Sequence, residues 1–170
     1  RFRQRLVAHG LLVRAVTVGD ATLIQAARRA PAKTAPGGGD PEADHTVKRG
    51  QPHYGYKAHV SSDGEHQLVR TAVISAANVN DADLLEQVAP LDAGSLYADK
   101  AYDTKDNAAW LRQCGIESQI AKKGAHHIKL TEADRAENQR KSRVRGGIER
   151  IFAVMLGVKW KKYEQAVNNL

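Results

Sequence analysis

Cysteine is almost absent from this chain of 170 residues, since Cys114 is the only one. A single thiol cannot close a disulfide within the chain, which excludes a disulfide scaffold and also a structural zinc site built from cysteines. The longest mostly apolar stretch is residues 151–158, far short of the roughly 20 residues that span a bilayer. No secretory signal is visible, and we therefore expect a cytoplasmic protein with no membrane partner.

Several motifs that would identify an enzyme class are also absent: the Walker motif, H-E-x-x-H, G-x-S-x-G and paired C-x-x-C. The composition is ordinary, with 42% hydrophobic and 26% charged residues, which excludes collagen and a fully disordered chain. The length suits one domain. The chain opens with Arg1 and not with methionine, and residues 1–10 are expected to be the end of a helix from a missing N-terminal region, stopped by Gly10.

Positive charge is concentrated in the C-terminal third of the chain. Between Lys122 and Lys162 there are twelve basic and four acidic residues, so this stretch carries +8 and the remaining residues carry −1. A nearly neutral body with a basic third is typical of a protein that binds polyphosphates. A solvated helix face would explain the same charge equally well.

The first half of the chain predicts strands and one long loop. Residues 11–18 are rich in β-branched side chains and predict a buried strand that ends at residues 19–20. Residues 31–52 hold four of the five prolines and three consecutive glycines, which predicts a flexible surface loop. Residues 54–60 alternate between apolar and polar positions, and with the strand predicted over residues 67–75 they form a hairpin.

The second half predicts helices that alternate with short strands. A short helix after Asn80-Asp81 has one apolar stripe, made of Leu84, Leu85, Val88 and Leu91. Strands are predicted over residues 95–98 and 116–121, and a helix runs between them from the cap Thr104 to Cys114. A last helix begins near Thr131 and is interrupted at Gly146-Gly147. Its apolar stripe consists of Val144, Ile148, Ile151, Phe152 and Met155.

This order of elements predicts an α/β fold. The sequential strands of the first half favour antiparallel pairing, and strands separated by helices favour parallel additions. We therefore expect a mixed five-stranded sheet flanked by helices.

Three carboxylates lie at positions that suggest a catalytic site. Asp20 and Asp99 each follow an apolar strand, and Glu149 lies on the last helix. If the first and fourth strands are neighbours, the two aspartates meet at one edge of the sheet and the helix could bring the glutamate over them. Clustered carboxylates repel each other unless a cation neutralises them, and hard oxygen ligands favour Mg²⁺ or Mn²⁺. Taken singly, each residue also fits a turn or a surface ion pair.

Five blocks of the sequence resemble, in the same order, those of DDE-type bacterial insertion-sequence transposases of the insertion-sequence five-like branch. These blocks are Gly19–Ile24, His53–His59, Ala76–Asp81, Tyr97–Tyr102 and Ser142–Phe152. The resemblance extends over nearly the whole chain from about Leu11. It implies an RNase H-like fold in which residues 11–170 are the catalytic domain.

The resemblance also implies the roles of individual residues. Asp20, Asp99 and Glu149, separated by 79 and 50 residues, match the metal-binding residues of the family, which hold two Mg²⁺ or Mn²⁺ ions. Arg145 matches an arginine that contacts phosphate, and Asp81 is given a supporting role such as capping the next helix. Further basic residues are expected to neutralise DNA phosphates: Lys100, Lys122, Lys123, Lys141 and Arg143.

The implied function is cleavage of DNA at transposon ends and strand transfer into target DNA. The implied partner is double-stranded DNA, and the active form is expected to be a homodimer associated with the bacterial nucleoid. The family often has a tyrosine where this chain has Ser142 and a lysine where it has Leu156. The family also commonly has an N-terminal DNA-binding domain, which we expect to belong to the missing region before Arg1. Two alternatives therefore stay open: a catalytically impaired DNA-binding remnant, and a hydrolytic nuclease on the same fold.

Overall fold

The computed structural model describes residues 2–10, 13–28, 30–31, 39–124 and 129–157 of the chain. Six strands and five α-helices follow one another in these ranges. In chain order they are α1 (Phe2–Ala8), β1 (Val16–Gln25), β2 (Asp44–Lys48), β3 (Gln51–Asp63), β4 (Val69–Ala76), α2 (Leu85–Val88), β5 (Ser95–Tyr97), α3 (Lys105–Gln113), β6 (Glu117–Ser118), α4 (Glu132–Arg145) and α5 (Ile148–Met155). Two short 3₁₀ helices, Asp81–Leu84 and Lys100–Tyr102, precede α2 and α3.

The strands form one mixed sheet in the order β2-β3-β1-β5-β6, and β4 also pairs with β3. The pairs that β3 makes with β1, β2 and β4 are antiparallel, whereas β1–β5 and β5–β6 are parallel. The predicted mixed sheet, the hairpin and the parallel additions are confirmed. The sheet has six strands and not five, because β2 lies inside the segment that was predicted to be a loop over residues 31–52.

Helices pack on both faces of the sheet. On one face, Ile148 and Phe152 of α5 bury themselves against Val18, Ala58 and Val60 of the central strands. The second core lies around α2, α3 and β5, and it buries Leu85, Ala89, Leu96, Tyr102, Leu111, Ile116 and Ile120 together with smaller alanines. Both cores follow the alternation of side chains along a strand, in which successive residues point to opposite faces.

β1 extends further than its sequence predicts. The strand continues to Gln25, which lies opposite Gly55 of β3, so Asp20 lies within the strand and not at its end. The 13-residue β3 supplies antiparallel partners along this whole length. The prediction of a strand ending at residues 19–20 is therefore wrong, because the partner that prolongs the strand lies far away in sequence.

The cap predicted at Thr104 and the helix start predicted near Thr131 are confirmed. The Thr104 side chain accepts a hydrogen bond from the backbone N–H of Asn107, and Gly115 ends the helix in the left-handed region at φ +70°. Thr131 and Asp134 form a capping box at the start of α4. These elements were predictable because caps depend on residues that are near each other in sequence.

Two residues of the predicted apolar stripes are exposed. Leu91 is 72% exposed, because α2 ends at Val88 and Pro90 forces Ala89 into an extended conformation. Met155, in the last turn of α5, is 45% exposed. The strand predicted over residues 116–121 shortens to β6, which pairs with β5 over two residues only. None of the described helices has the length and apolar character needed to cross a membrane.

His59 of β3 gives the fold a predictable response to pH. The side chain is fully buried, its Nε2 lies 2.9 Å from Ser75 Oγ, and burial lowers the pKa of the imidazole below 6.5. A lowered pKa means that the unfolded chain binds the proton more readily. The stability of the fold is therefore not reduced by His59 above pH 6.5, where the imidazole is neutral in both states. It decreases as the pH falls below 6.5, because the unfolded chain then takes up the proton.

We accordingly expect the free energy of unfolding to decrease between pH 7.5 and 5.5 by more in the parent than in His59→Gln, whose amide can still reach Ser75. Urea denaturation at the two pH values measures this difference. Equal pH dependence in both proteins would contradict the role given to His59.

Candidate active site

Asp20 and Asp99 come together because β1 and β5 are parallel neighbours. In their register Val18 lies opposite Tyr97, so two residues further along each chain Asp20 and Asp99 occupy matching positions. Side chains two residues apart share a face, and Val18 packs against α5. Both aspartates therefore lie on the face covered by α4 and α5. The expectation that the first and fourth predicted strands are neighbours is confirmed.

Local hydrogen bonds orient each aspartate. Asp20 Oδ1 accepts from the backbone N–H of Ala21 at 2.8 Å. Asp99 caps the 3₁₀ helix Lys100–Tyr102, and its Oδ1 accepts from the N–H of Lys100 at 2.7 Å. β5 thus ends in a turn that is stabilised by the same carboxylate that faces the site.

Arg145, the last residue of α4, joins the two carboxylates. Its Nη1 donates a hydrogen bond to Asp20 Oδ2, and its Nη2 lies 4.0 Å from Asp99 Oδ1. The Arg145 side chain is 23% exposed and that of Asp20 is 20% exposed, so the ion pair lies partly out of water. One cationic group therefore pairs with two carboxylates, one within β1 and the other just after the end of β5.

The charge on Asp20 is balanced by opposing effects. Burial raises the pKa of this carboxyl above its usual value, the Arg145 guanidinium lowers it, and the neighbouring charges of Asp99 and Asp81 raise it again. Desolvation and like charges both disfavour an ionised carboxylate, whereas a nearby cation favours it. The pKa of Asp20 therefore depends on burial together with the charges of Arg145, Asp99 and Asp81.

Asp81 lies close enough to affect this centre, although its role differs from the predicted one. Asn80 occupies the N-cap of the 3₁₀ helix, and Asp81 is instead in its first turn. The Lys57 ammonium donates to Asp81 Oδ1 and to the carbonyl of Val79, each at 2.8 Å. Asp81 is thus an ion-pair partner of β3, and the expectation that it caps the helix is wrong.

Glu149 lies in the first turn of α5 and its side chain is exposed. Its neighbour Ile148 is buried against β1 and β3, and this packing positions the start of the helix. Among the residues that the structure describes, no three side chains of histidine, cysteine, aspartate or glutamate are grouped so as to hold a metal ion. The assignment of Glu149 as the third ligand stays a prediction.

The basic residues expected to contact DNA differ in exposure and in their partners. Lys100, Lys123 and Arg143 are exposed. Lys122 Nζ pairs with Asp134 Oδ1 at 2.5 Å, and this hydrogen bond raises the pKa of the lysine. Lys141 is only 11% exposed and donates to the carbonyl of Ile120 at 3.1 Å. Lys159, Lys161 and Lys162 lie outside the described residues.

Asp20 and Asp99 offer the type of ligand atom that a hard divalent cation prefers. The two aspartates share Arg145 as a positive partner, with Asp99 Oδ1 lying 4.0 Å from its Nη2. Carboxylate oxygens are the ligands that Mg²⁺ and Mn²⁺ prefer. These two aspartates are therefore the residues that would hold such an ion.

Tyr102 is the residue at this site that the sequence did not single out. Its side chain is 1% exposed, and its hydroxyl has no hydrogen-bond partner among the described residues. The charges of Asp81, Asp20 and Asp99 all act on the hydroxyl. The one feature of the sequence that could have pointed to Tyr102 is its position three residues after Asp99.

Comparison with known proteins identifies the family of the chain. Residues 12–164 match the family described as Transposase DDE domain. The chain is 28% identical over 121 residues to the transposase for insertion sequence element IS1106 from Neisseria meningitidis serogroup B, a match that covers 68% of this chain and 41% of that protein. The chain thus spans less than half the length of this relative. Since the family match extends over most of the sequence, the chain belongs to the DDE-domain family of insertion-sequence transposases.

Proposed function

We propose that the chain is the catalytic domain of a transposase, which cleaves DNA at transposon ends and transfers the strand into target DNA. The observation that supports this proposal is the pair Asp20 and Asp99, which share one cationic partner across adjacent parallel strands. The proposal extends to an RNase H-like fold and to residues 11–170 as the catalytic domain. Membership of the insertion-sequence five-like branch stays a prediction.

The proposed reaction has two steps of the same chemistry. In the first, a water oxygen forms a bond to phosphorus at the element end, the bond from phosphorus to the 3′ oxygen breaks, and the released 3′ oxygen takes a proton. In the second, that 3′-hydroxyl loses its proton and bonds to a phosphorus of the target DNA, and the target's own 3′ oxygen leaves and takes a proton. The first step is a hydrolysis that breaks one phosphodiester, and the second exchanges one phosphodiester for another. Phosphorus keeps its oxidation state in both, so no oxidant or reductant is required.

Asp20 and Asp99 would hold the divalent ions, and Glu149 would complete the set. Two bound Mg²⁺ or Mn²⁺ ions would supply activation of the attacking oxygen and stabilisation of the leaving one. The backbone N–H groups of Ala21 and Lys100 keep the two aspartates oriented toward the same face.

Arg145 is placed to exchange partners when DNA binds. Its guanidinium can form a fork-like pair with a phosphate as well as with a carboxylate. Lys100, Lys122, Lys123, Lys141 and Arg143 would neutralise further phosphates along the duplex. Double-stranded DNA is thus the proposed partner, and a homodimer is the proposed active form.

The proposal is tested by incubating the chain with supercoiled plasmid and a labelled duplex that carries a free 3′-hydroxyl, in Mn²⁺ or in excess chelator. We expect nicked plasmid and label joined to plasmid in Mn²⁺, and neither product in chelator. Nicking without joining would instead identify a hydrolytic nuclease. Salt-sensitive DNA binding without nicking would identify an impaired remnant, the alternative suggested by Ser142 and Leu156.

A further inference from the structure

The hairpin formed by β2 and the first residues of β3 extends beyond the rest of the sheet. β1 and β4 pair with β3 only as far as Gly55 and Tyr56, respectively. Residues 51–53 of β3 pair with β2 alone among the described residues. We call this two-stranded segment, residues 44–54, the ribbon. Residues 47–53, which form its outer part, are all exposed to solvent.

The tip of the ribbon is a two-residue turn in an unusual conformation. Arg49 and Gly50 connect the paired residues Lys48 and Gln51, and their φ angles are +53° and +77°. Positive φ at both central residues is typical of a type I′ turn, in which Asn-Gly and Asp-Gly are favoured. Glycine and asparagine adopt this conformation readily, whereas the Cβ of an arginine makes it costly. Arg49 therefore does not serve the stability of the turn, and an outlier of this kind points to a function.

The ribbon carries positive charge at its tip. Lys48 and Arg49 are adjacent there, and no aspartate or glutamate occurs between Asp44 and Asp63. Neither cation forms an ion pair with another of the described residues. Both charges are therefore available to an anionic partner.

The ribbon lies beside the strand that carries Asp20. Thr46 and Lys48 line one pocket together with Ala21 and Thr22, the two residues that follow Asp20 in β1. A duplex held at the candidate active site would therefore pass close to the ribbon.

The dimensions of the ribbon suit one groove of duplex DNA. Two paired strands lie about 4.8 Å apart. The major groove, about 12 Å wide, admits a two-stranded ribbon with its side chains, whereas the minor groove is only about 6 Å wide.

We propose that the ribbon inserts its tip into the major groove of duplex DNA bound at the candidate active site, and that Lys48 and Arg49 contact the phosphates that border this groove. The proposal rests on the proposed function, since it takes DNA as the partner. It explains why an arginine is kept in a turn conformation that favours asparagine or glycine.

Lys48→Gln combined with Arg49→Asn removes both charges and gives the turn its favoured Asn-Gly pair. The logarithm of DNA affinity falls with the logarithm of salt concentration by about 0.9 per phosphate contact. Loss of two contacts should therefore reduce this slope by about 1.8, which weakens binding at 0.1 M salt by roughly 60-fold and has no effect near 1 M. Fluorescence anisotropy of a labelled duplex, without metal, measures both quantities. The midpoint of urea denaturation should stay the same or rise, which separates weaker binding from unfolding.

Lys105→Gln combined with Arg112→Gln is the matched control, because it removes the same charge from two exposed positions of α3. We expect its salt dependence to equal that of the parent. A second measurement is the methylation of guanine N7 by dimethyl sulfate, since this atom is accessible in the major groove. We expect the parent and the control to protect guanines that the ribbon variant leaves reactive.

The outcomes separate this proposal from the proposed function. If the parent binds the duplex and the ribbon variant matches it in affinity and slope, the ribbon does not contact DNA, and this proposal is overturned while the proposed function stands. Equal losses in the ribbon variant and the control, or the same guanine protection in the parent and the ribbon variant, would overturn it as well. If the parent binds no duplex at any salt concentration, DNA is refuted as the partner and both proposals fall.

Discussion

Asp99→Asn is expected to reduce metal-dependent nicking of plasmid DNA by about a thousandfold or more, equivalent to about 4 kcal/mol of lost transition-state stabilisation. The substitution removes one of the two carboxylates that pair with Arg145. Asparagine is as good a helix cap as aspartate, so the 3₁₀ helix that follows should form normally. The effect is therefore expected on chemistry and not on folding.

Initial rates of plasmid nicking in Mn²⁺ measure the effect, and binding of duplex DNA at several salt concentrations shows whether the protein still recognises its substrate. We expect DNA affinity to be retained, because the lost charge is negative. Asp106→Asn is the control, since it removes the same charge from an exposed position in the first turn of α3. Nicking by Asp99→Asn at the parent rate would remove Asp99 from the mechanism.

Gly55→Ala is expected to be among the most destabilising single changes in the chain, with a loss of about 4 kcal/mol or more in the free energy of unfolding. Gly55 adopts φ +154°, and a Cβ there would lie 2.2 Å from the carbonyl oxygen of Ile24 and 2.6 Å from the backbone nitrogen of Ala26. Both of these atoms belong to the backbone at the end of β1 and cannot swing away as a side chain can. Relief of the clash requires β1 and β3 to separate.

Gly50→Ala separates this clash from the ordinary cost of a left-handed residue. Gly50 lies in the turn between β2 and β3 at φ +77°, and a Cβ there meets nothing within 4 Å. Its replacement should cost about 1–2 kcal/mol, the penalty for a non-glycine residue in this region. Urea denaturation measures the free energy of unfolding of both variants. Equal losses would show that the clash with the Ile24 carbonyl does not add to the destabilisation by Gly55→Ala.

The sequence predicted best what depends on neighbouring residues. The caps Thr104 and Thr131, the end of the helix at Gly115 and the break at Gly146-Gly147 are all local features. β2 and the extension of β1 to Gln25 could not be predicted in this way, since both depend on pairing with β3. Strand pairing joins residues that are distant in the chain, and composition alone does not reveal it.

The site shows the same division. Sequence patterns located Asp20 and Asp99 and made their approach conditional on two strands being neighbours, which the parallel register satisfies. The pairing of Arg145 with both aspartates was not predictable, because it depends on the packing of α5 through Ile148 and on where α4 consequently ends. The burial of Tyr102 was likewise not predictable, because it depends on packing against Leu85 and Leu111, which are distant in sequence.

The pairing of Arg145 with both aspartates has a thermodynamic consequence. A guanidinium and a divalent ion would compete for the same carboxylate oxygens, so a metal ion bound by Asp20 and Asp99 would have to displace a cation that belongs to the protein. Any anion that draws Arg145 away would then tighten the binding of the metal, and by linkage the metal would tighten the binding of that anion by the same factor. A DNA phosphate is an anion of this kind. Nucleic acid and metal would then bind with positive cooperativity, and the Arg145 side chain alone would couple the two binding events.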